Sequence, residues 1–300
     1  MSPVDLSVII ASYNTRDLLR DCIQSVIEST HKIRFEIIVV DDCSPDDSCE
    51  MVSTEFPEVR LLRNEENLRY VKTNNRGLEA SVGRYGLLLN SDTIVRPGAF
   101  DKLVEFMDSH PDAAAGGPKL INPDGSVQHC IRSFVGLKAM IWQTLNLHLI
   151  WPSNPLTEQY YNTKFAYDCA KVVPSIGTTA YIIRRETWEQ YGLLDERFTL
   201  AFSDLAYNHM LTHQGQKIYI IPDAVVMHYG SQSISQNGVK EIHLQHRALR
   251  VFYDNYIGKT HSPIKKSFLR GAISVREILK VMEFRLSKDK RVLKGPGAPK

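Results

Sequence analysis

Short apolar runs alternate with stretches of helical spacing through the first hundred residues. Residues 6–11 read LSVIIA, 36–40 read EIIVV and 85–89 read YGLLL. Unbroken apolar runs of this length predict strands buried on both faces. A further strand is expected at 59–62. Between the first two, residues 15–30 place Leu18, Leu19, Cys22, Ile23 and Val26 at helical spacing. Helices are also expected at 68–82 and 97–109, and Ser44-Pro45 offers an N-cap and a first-turn proline for another. Strand and helix in alternation imply βαβ units. The chain is therefore expected to be α/β, with a Rossmann-like, mostly parallel central sheet and helices on both faces.

The pattern changes beyond residue 110. A strand is expected at 113–120, followed by a turn at Asn122-Pro123-Asp124-Gly125. Residues 135–170 are rich in Trp, Tyr, Leu and His without clean periodicity and suggest an irregular, partly helical insert. Next come a strand at 178–183, a short helix at 185–191, and a helix at 203–213 closed by Gly215. Short strands at 217–221 and 224–228 precede two helical segments, at about 239–257 and 264–293. No internal repeat is visible.

Composition narrows the class. Of 300 residues, 43% are hydrophobic and 23% charged, which excludes a disordered chain, a collagen-like fibre and a coiled coil. No run reaches the roughly 18 apolar residues of a membrane span, and no basic segment precedes an apolar stretch at the N-terminus. Five cysteines, Cys22, Cys43, Cys49, Cys130 and Cys169, form no CxxC pair, so a reducing cytoplasm is the expected compartment. Charge is uneven. Residues 262–300 hold eleven Lys and Arg against three Asp and Glu, a net of +8, while the rest carries a net of −6. Within that tail Phe268, Ala272, Val275, Leu279, Met282 and Leu286 recur at spacings of four and three. A basic amphipathic helix of this kind can lie on an anionic membrane surface. Alternatively, its stripe packs on the body of the protein or on a second copy in a homodimer. Nucleic acid is not an expected partner.

In open parallel sheets, ligands sit beyond the carboxyl ends of the strands. Those ends carry Ser12-Tyr13-Asn14, Asp41-Asp42 and Asn90-Ser91-Asp92. Three polar clusters after three apolar runs should converge on one rim, although each alone is also good turn or cap chemistry. Neither GxGxxG nor GxxxxGK[ST] is present. A phosphorylated ligand would then need a metal, and strand-end carboxylates suit a hard divalent cation that bridges diphosphate oxygens.

Six stretches carry a family resemblance: SVIIASYN (7–14), EIIVVDDCSPDDS (36–48), NEENLRYVKTNNRGLEASVGRYGLLLNSD (64–92), GTTAYIIRRETWEQYGLLDERF (177–198), FSDLAYNHMLTHQGQKIYIIPDAVVMHYGSQS (202–233) and HRALRVFYDNYIGK (246–259). As a set they resemble the inverting family 2 glycosyltransferases of GT-A fold, within them the rhamnosyltransferase-like branch. The resemblance implies one GT-A domain over residues 1–260, with a nucleotide-sugar half at about 1–120 and an acceptor half at about 121–260. It implies a nucleoside-diphosphate sugar donor, dTDP-rhamnose or a UDP-sugar. It also implies a saccharide acceptor and a role in bacterial cell-surface polysaccharide or O-antigen synthesis; the basic tail, if it lies on the cytoplasmic face of the inner membrane, would fit a lipid-linked acceptor.

By the same resemblance, Ser12, Tyr13, Asn14, Asn67 and Asn75 fall in nucleotide-contacting stretches, and Asp42 or Asp41 would hold the base or ribose. Asp92 matches the metal carboxylate of Asp-x-Asp, and His228, in His-x-x-Gly-x-Ser, a further ligand that mildly favours Mn²⁺ over Mg²⁺. Asp204 matches the catalytic base, and Asp195 and Glu196 the Asp-Glu-Arg-Phe loop near the acceptor. The chain departs from the pattern in four places. Asn90 replaces the first acid of Asp-x-Asp, Ser203 the usual Glu, Ala206 a later Asp, and Arg69 a usual Gly, where Arg69 could add a diphosphate contact. Ser91 lies between the two positions of the metal motif.

Plainer readings exist for several residues. Asp204 also suits the N-terminal turn of a helix, and His228 a satisfied structural histidine. Tyr160, Tyr161, Trp142 and Trp151 could stack on sugars or simply pack, and His209 and His213 share a helix face at i, i+4. The competing functions are a sugar-phosphate nucleotidyltransferase, which would release free diphosphate, and a sugar-nucleotide-binding module without transfer activity.

Overall fold

The computed structural model describes residues 4–134, 154, 155, 158, 160, 162, 164–199, 201–230 and 238–286. Trp142, Trp151, Tyr161, most of the expected insert and the tail beyond Leu286 lie outside the described residues.

The alternating half folds as its pattern predicts. Strands β1 (Leu6–Ser12), β2 (Phe35–Asp41), β3 (Arg60–Arg63) and β4 (Tyr85–Asn90) are separated by helices α1 (Arg16–Ser29), α2 (Ser48–Glu55) and α3 (Arg69–Ala80). β1 pairs in parallel with β2 on one side and β4 on the other, and β2 pairs in parallel with β3. Then come β5 (Thr93–Val95), α4 (Ala99–Ser109), β6 (Ala113–Ile121), β7 (Val127–Gln128), β8 (Lys171–Val172), β9 (Ala180–Arg184), α5 (Arg185–Tyr191), α6 (Ser203–His213) and β10 (Lys217–His228). The sheet order is β3-β2-β1-β4-β9-β6-β10-β5, with β7 on β6 and β8 on β10. Antiparallel β9 joins the first parallel group to a second one formed by β6 and β10.

Alternation along β1 divides the core. Val8 and Ile10 face one layer with Leu19, Ile23, Phe100 and Leu103 from α1 and α4. Ile9 faces the other with Val71, Leu78, Leu205 and Leu211 from α3 and α6. α3 lies nearly on the sheet. A Cβ at Gly77 would come 2.2 Å from Ile9 Cγ2, so only glycine permits that approach.

Several boundaries differ from expectation. Ser44-Pro45 does not open a helix; α2 begins at Ser48 with Asp47 as N-cap. The Ser44 amide instead donates to Asp41 Oδ2 at 2.9 Å, and Ser44 Oγ accepts from the Asn14 amide at 3.0 Å. The segment is thus tied to the end of β1. The two strands expected at 217–221 and 224–228 are one strand, β10, whose register on β6 shifts between Ile221 and Val225. Pro222 cannot donate to a ladder, so a bulge is where a strand tolerates it.

The chain then enters α7 (Gly238–Phe252), a π turn at Tyr253–Ile257, and α8 (Pro263–Leu286). α8 buries Leu269 and Ile273 beside Leu249 and Tyr253. The apolar stripe read from sequence faces away from that contact, about 120° around the helix. Ile264, Phe268, Val275, Ile278, Leu279, Met282 and Leu286 are all exposed, Leu286 at 80% and Phe268 at 65%. No helix among the described residues is long and apolar enough to cross a membrane.

Candidate active site

The ends of β1, β2 and β4 do meet. One cavity of about 770 Å³ is lined by Ser12, Tyr13, Asn14, Asp42, Asn67, Arg69, Asn90, Ser91, Asp92, Asp204 and His228, as well as residues no sequence signal marked. A chain of hydroxyls stitches its floor: Ser12 Oγ lies 3.0 Å from Thr15 Oγ1, which lies 3.0 Å from Ser91 Oγ. The chain links the first strand end to the segment after β4. Asn14, Arg69 and Phe202, all on the cavity wall, have φ of 54°, 72° and 67°. Such left-handed backbone at non-glycine residues is costly and persists where surrounding structure holds it, often at functional sites.

Asp42 supplies that hold for Arg69. Its Oδ1 accepts from Asn64 Nδ2 at 2.8 Å and from the Leu68 amide at 2.7 Å, and Oδ2 accepts from the Arg69 amide at 2.9 Å. The carboxylate is therefore the anchor of the 67–69 loop as well as part of the cavity wall. The side-chain oxygens of Asn67 and Asn90 are buried and have no partner. Buried acceptors without a donor are uncommon, and here both belong to residues of the cavity.

Asp92 and His228 are brought together by strand pairing. β5 runs antiparallel to the end of β10, with Thr93 opposite His228. The rung of His228 is thus Thr93, the chain neighbour of Asp92, and His228 Nε2 lies 3.2 Å from Asp92 Oδ1. On the other side of the ring, Nδ1 is 2.7 Å from Gln128 Oε1. No group of three or more His, Cys, Asp or Glu gathers among the described residues. A divalent cation would then have Asp92, His228 Nε2 and the unpartnered Asn90 oxygen on the protein side. The donor set of one carboxylate, one imidazole and one amide oxygen fits a cation completed by diphosphate and water.

Asp204 stands in the first turn of α6 and also opens on the cavity. Both positional readings of this residue therefore hold at once. Burial raises its carboxyl above the ordinary value, against the Leu205 amide at 2.8 Å and the charge of Arg132, both of which lower it. Tyr70 also lines the cavity, and its hydroxyl donates to the Thr178 carbonyl at 2.9 Å. Burial, first, and the charges of Asp204 and Asp92 keep that phenol protonated.

Four expected residues lie elsewhere. Asp41, Asn75, Asp195 and Glu196 do not line the cavity. Asn75 bridges α3 to the 194–196 loop, donating to the Leu194 carbonyl at 2.9 Å and accepting its amide at 3.1 Å. Asp195 binds Arg197 and the Tyr256 hydroxyl, both at 2.6 Å. His209 stacks on His213 at 3.8 Å and packs edge-on against Phe134 and Phe252. Burial, helped by the charges of His213 and Lys259, pushes its pKa down to about 4. Conversely, Thr15, Tyr70, Arg132, Thr178 and Glu241 line the cavity without any expectation from sequence. Tyr160 lines it too.

The strand-end cavity of this α/β fold thus brings a carboxylate–imidazole pair and a carboxyl raised by burial into one space. Residues 7–169 match the sequence model of "Glycosyl transferase family 2", and the chain belongs to that family. It is a glycosyltransferase with a mixed α/β, GT-A fold. It is 25% identical over 288 residues to an N-acetylglucosaminyl-diphospho-decaprenol L-rhamnosyltransferase of Mycobacterium tuberculosis, covering 92% of each chain. It is 27% identical over 241 residues to the O-antigen biosynthesis protein RfbC of Myxococcus xanthus, covering 79% of this chain but 18% of that protein. Among solved structures, residues 1–349 of Staphylococcus aureus TarS superpose with a TM-score of 0.57 at 15% identity, covering 95% of this chain and 76% of that one. GalNAc-T7 with UDP, GalNAc and Mn²⁺ gives a TM-score of 0.60 at 16% identity, covering 94% and 56%. Divalent cations are in general use in this family.

Proposed function

We propose that the protein moves a sugar, with inversion, from a nucleoside-diphosphate sugar to a hydroxyl of a saccharide acceptor in bacterial surface-polysaccharide synthesis. The observation that carries this reading is the shared cavity: Asp204 and the Asp92–His228 pair line the same space. The diphosphate end of the donor lies toward Asn90, Asp92 and His228, with the Arg69 cation beside it. The nucleoside lies toward Ser12, Tyr13, Asn14, Asp42 and Asn67, where the unpartnered Asn67 oxygen accepts a donor N–H. A Mn²⁺ or Mg²⁺ ion, when bound, supplies Lewis-acid stabilisation of charge developing on the leaving diphosphate.

Asp204 accepts the proton of the acceptor hydroxyl as its oxygen bonds to the anomeric carbon. The bond from that carbon to the diphosphate oxygen breaks with its electron pair, and the nucleoside diphosphate leaves. One displacement inverts the centre, and no carboxylate nucleophile is required. Of the departures from the family pattern, Asn90 keeps an oxygen ligand without the charge.

The donor is sought among dTDP-rhamnose and UDP-sugars, and the lipid-diphosphate acceptor in the name of the M. tuberculosis relative makes a lipid-linked saccharide the first acceptor to try. At about 100 times its Kd, the true donor with Mn²⁺ should add about 2.7 kcal/mol, or about 5 °C in melting temperature. With acceptor present, nucleoside diphosphate should be released. Release of free diphosphate instead would point to nucleotidyl transfer, and binding without release to a module that does not transfer.

The reading extends to α8, whose exposed apolar face would rest on an anionic bilayer at the cytoplasmic side of the inner membrane. Seven of the twelve exposed large apolar side chains of the described residues lie on this one helix. Lys265, Arg270 and Arg285 are exposed on the same helix, complementary to phospholipid charge. The full chain should float with vesicles containing anionic lipid, less so at high salt. Replacing Phe268, Leu279 and Met282 together by Glu should weaken partition about 100-fold or more, given about 1.5–3 kcal/mol per buried apolar side chain. Unchanged flotation would remove the helix from this role. A dimer in solution that the same substitutions dissociate would assign the face to a second copy.

A further inference from the structure

The ring of His228 ends a hydrogen-bond chain that begins in the turn at residues 122–126. The Asp124 carboxylate can only accept, and Ser126 Oγ–H donates to its Oδ1 at 2.6 Å. Ser126 Oγ in turn accepts from Asn122 Nδ2 at 2.9 Å. Asn122 Oδ1 accepts from Gln128 Nε2 at 2.9 Å. That leaves Gln128 Oε1 as the atom facing His228 Nδ1, at 2.7 Å. Every link has one direction, set by the acceptor at its start. The turn is itself closed by backbone bonds, the Asn122 amide to the Ser126 carbonyl at 2.8 Å and the Gly125 amide to the Asn122 carbonyl at 2.9 Å. Asn122 is buried. β7 pairs with β6 at Leu120–Gln128, and β6 pairs with β10 at Ile121–Met227, which places Gln128 beside His228.

We propose that Gln128 is a positioning residue. Through Asn122, Ser126 and Asp124 it holds His228 as the Nδ1–H tautomer, so that the Nε2 lone pair faces Asp92 and can bind a divalent cation. The proposal rests on the cation site described above. Its physical basis is a competition. A neutral imidazole carries its proton on one nitrogen or the other. The Asp92 carboxylate, 3.2 Å from Nε2, attracts the proton there, which would remove the lone pair. The Gln128 oxygen attracts it to Nδ1. A flipped amide would present N–H to Nδ1 and favour the wrong tautomer, and the Asn122 oxygen opposes that flip. Outer partners that fix a ligating histidine in this way typically change metal affinity 10- to 100-fold when removed.

The test uses the whole chain and two readouts besides activity. Long-range ¹H–¹⁵N NMR of the metal-free protein identifies the neutral His228 tautomer. Electron paramagnetic resonance of free Mn²⁺, titrated with protein alone and with dTDP or UDP, gives metal affinity. The wild type should show Nδ1–H. Gln128→Leu should bind Mn²⁺ 10- to 100-fold more weakly, with the Nε2–H form appearing. Gln128→Glu keeps an acceptor for Nδ1–H and should restore the tautomer. An Nε2–H wild type, or a folded Gln128→Leu with wild-type Mn²⁺ affinity, overturns the proposal. Should the leucine variant not fold, the wild-type tautomer and Gln128→Glu still decide it. A wild type that binds no Mn²⁺ with either nucleotide fails the cation reading instead, while the tautomer measurement still judges the relay.

Discussion

Asp204→Asn should bind nucleotide sugar as the wild type does and lose about 10²- to 10⁴-fold in turnover, the usual contribution of a positioned general base. It should also melt at a higher temperature at neutral pH. Burial raises the Asp204 carboxyl above its unfolded value, so the fold favours the protonated form. The stability linked to this group is therefore fully present below the ordinary carboxyl pKa and is lost as pH rises through the raised folded value. A neutral amide removes that loss. Activity in the wild type should follow the opposite course, rising with pH as Asp204 ionises. Together these make a signature that packing damage cannot imitate: kcat falls, the donor Kd holds, the melting temperature rises, and the acid limb of the pH profile disappears. Wild-type turnover in Asp204→Asn would remove it from the role of base. A lowered melting temperature with a raised donor Kd would make Asp204 a structural residue of the α6 turn.

The parts of this site that sequence made legible are those that local chemistry writes twice. Ser12-Tyr13-Asn14, Asp42 and Asn90-Ser91-Asp92 each follow an apolar run, and parallel pairing of β2, β1 and β4 carries their ends to one rim. That step needs only the period of the strands and the direction of βαβ crossovers. Asp41 ends β2 and Asp42 follows it; sequence left the choice between them open, and Asp42 is the one that lines the cavity. β5 has three residues, too few for a period, yet its antiparallel register is what sets Asp92 beside His228. Arg132, Glu241 and Gln128 arrive from distant segments and carry no local mark, because tertiary packing alone gives them their neighbours. The apolar stripe of α8 was legible as a stripe, but its direction was not. Leu269 and Ile273 form a second apolar edge on the same helix, and that shorter edge is the one packed on α7.

Removing the carboxylate of Asp92 is expected to be the other severe lesion. Asp92 is the one acidic group among the candidate ligands, since Asn90 is neutral and His228 contributes a lone pair without charge. A cation bridging diphosphate oxygens is worth several kcal/mol of transition-state stabilisation, so losing about 4 kcal/mol corresponds to about 10³ in rate. Asp92→Ala should therefore cut kcat/KM by about 10³-fold at moderate Mn²⁺. Part of this should return as the metal is raised, because His228 and the diphosphate still offer ligands. Asp92→Asn, which keeps shape and an oxygen, should fall between. Neither change touches the hydroxyl chain of Ser12, Thr15 and Ser91, so nucleotide binding without metal should survive in both. The wild type should lose activity in excess chelator and regain it with Mn²⁺ more readily than with Mg²⁺, as an imidazole ligand implies. Full activity in chelator, or equal rates for wild type and Asp92→Ala across the metal titration, would mean that charge on the leaving diphosphate is met by cationic side chains. Arg69 and Arg132, which line the cavity, would then be the residues to replace.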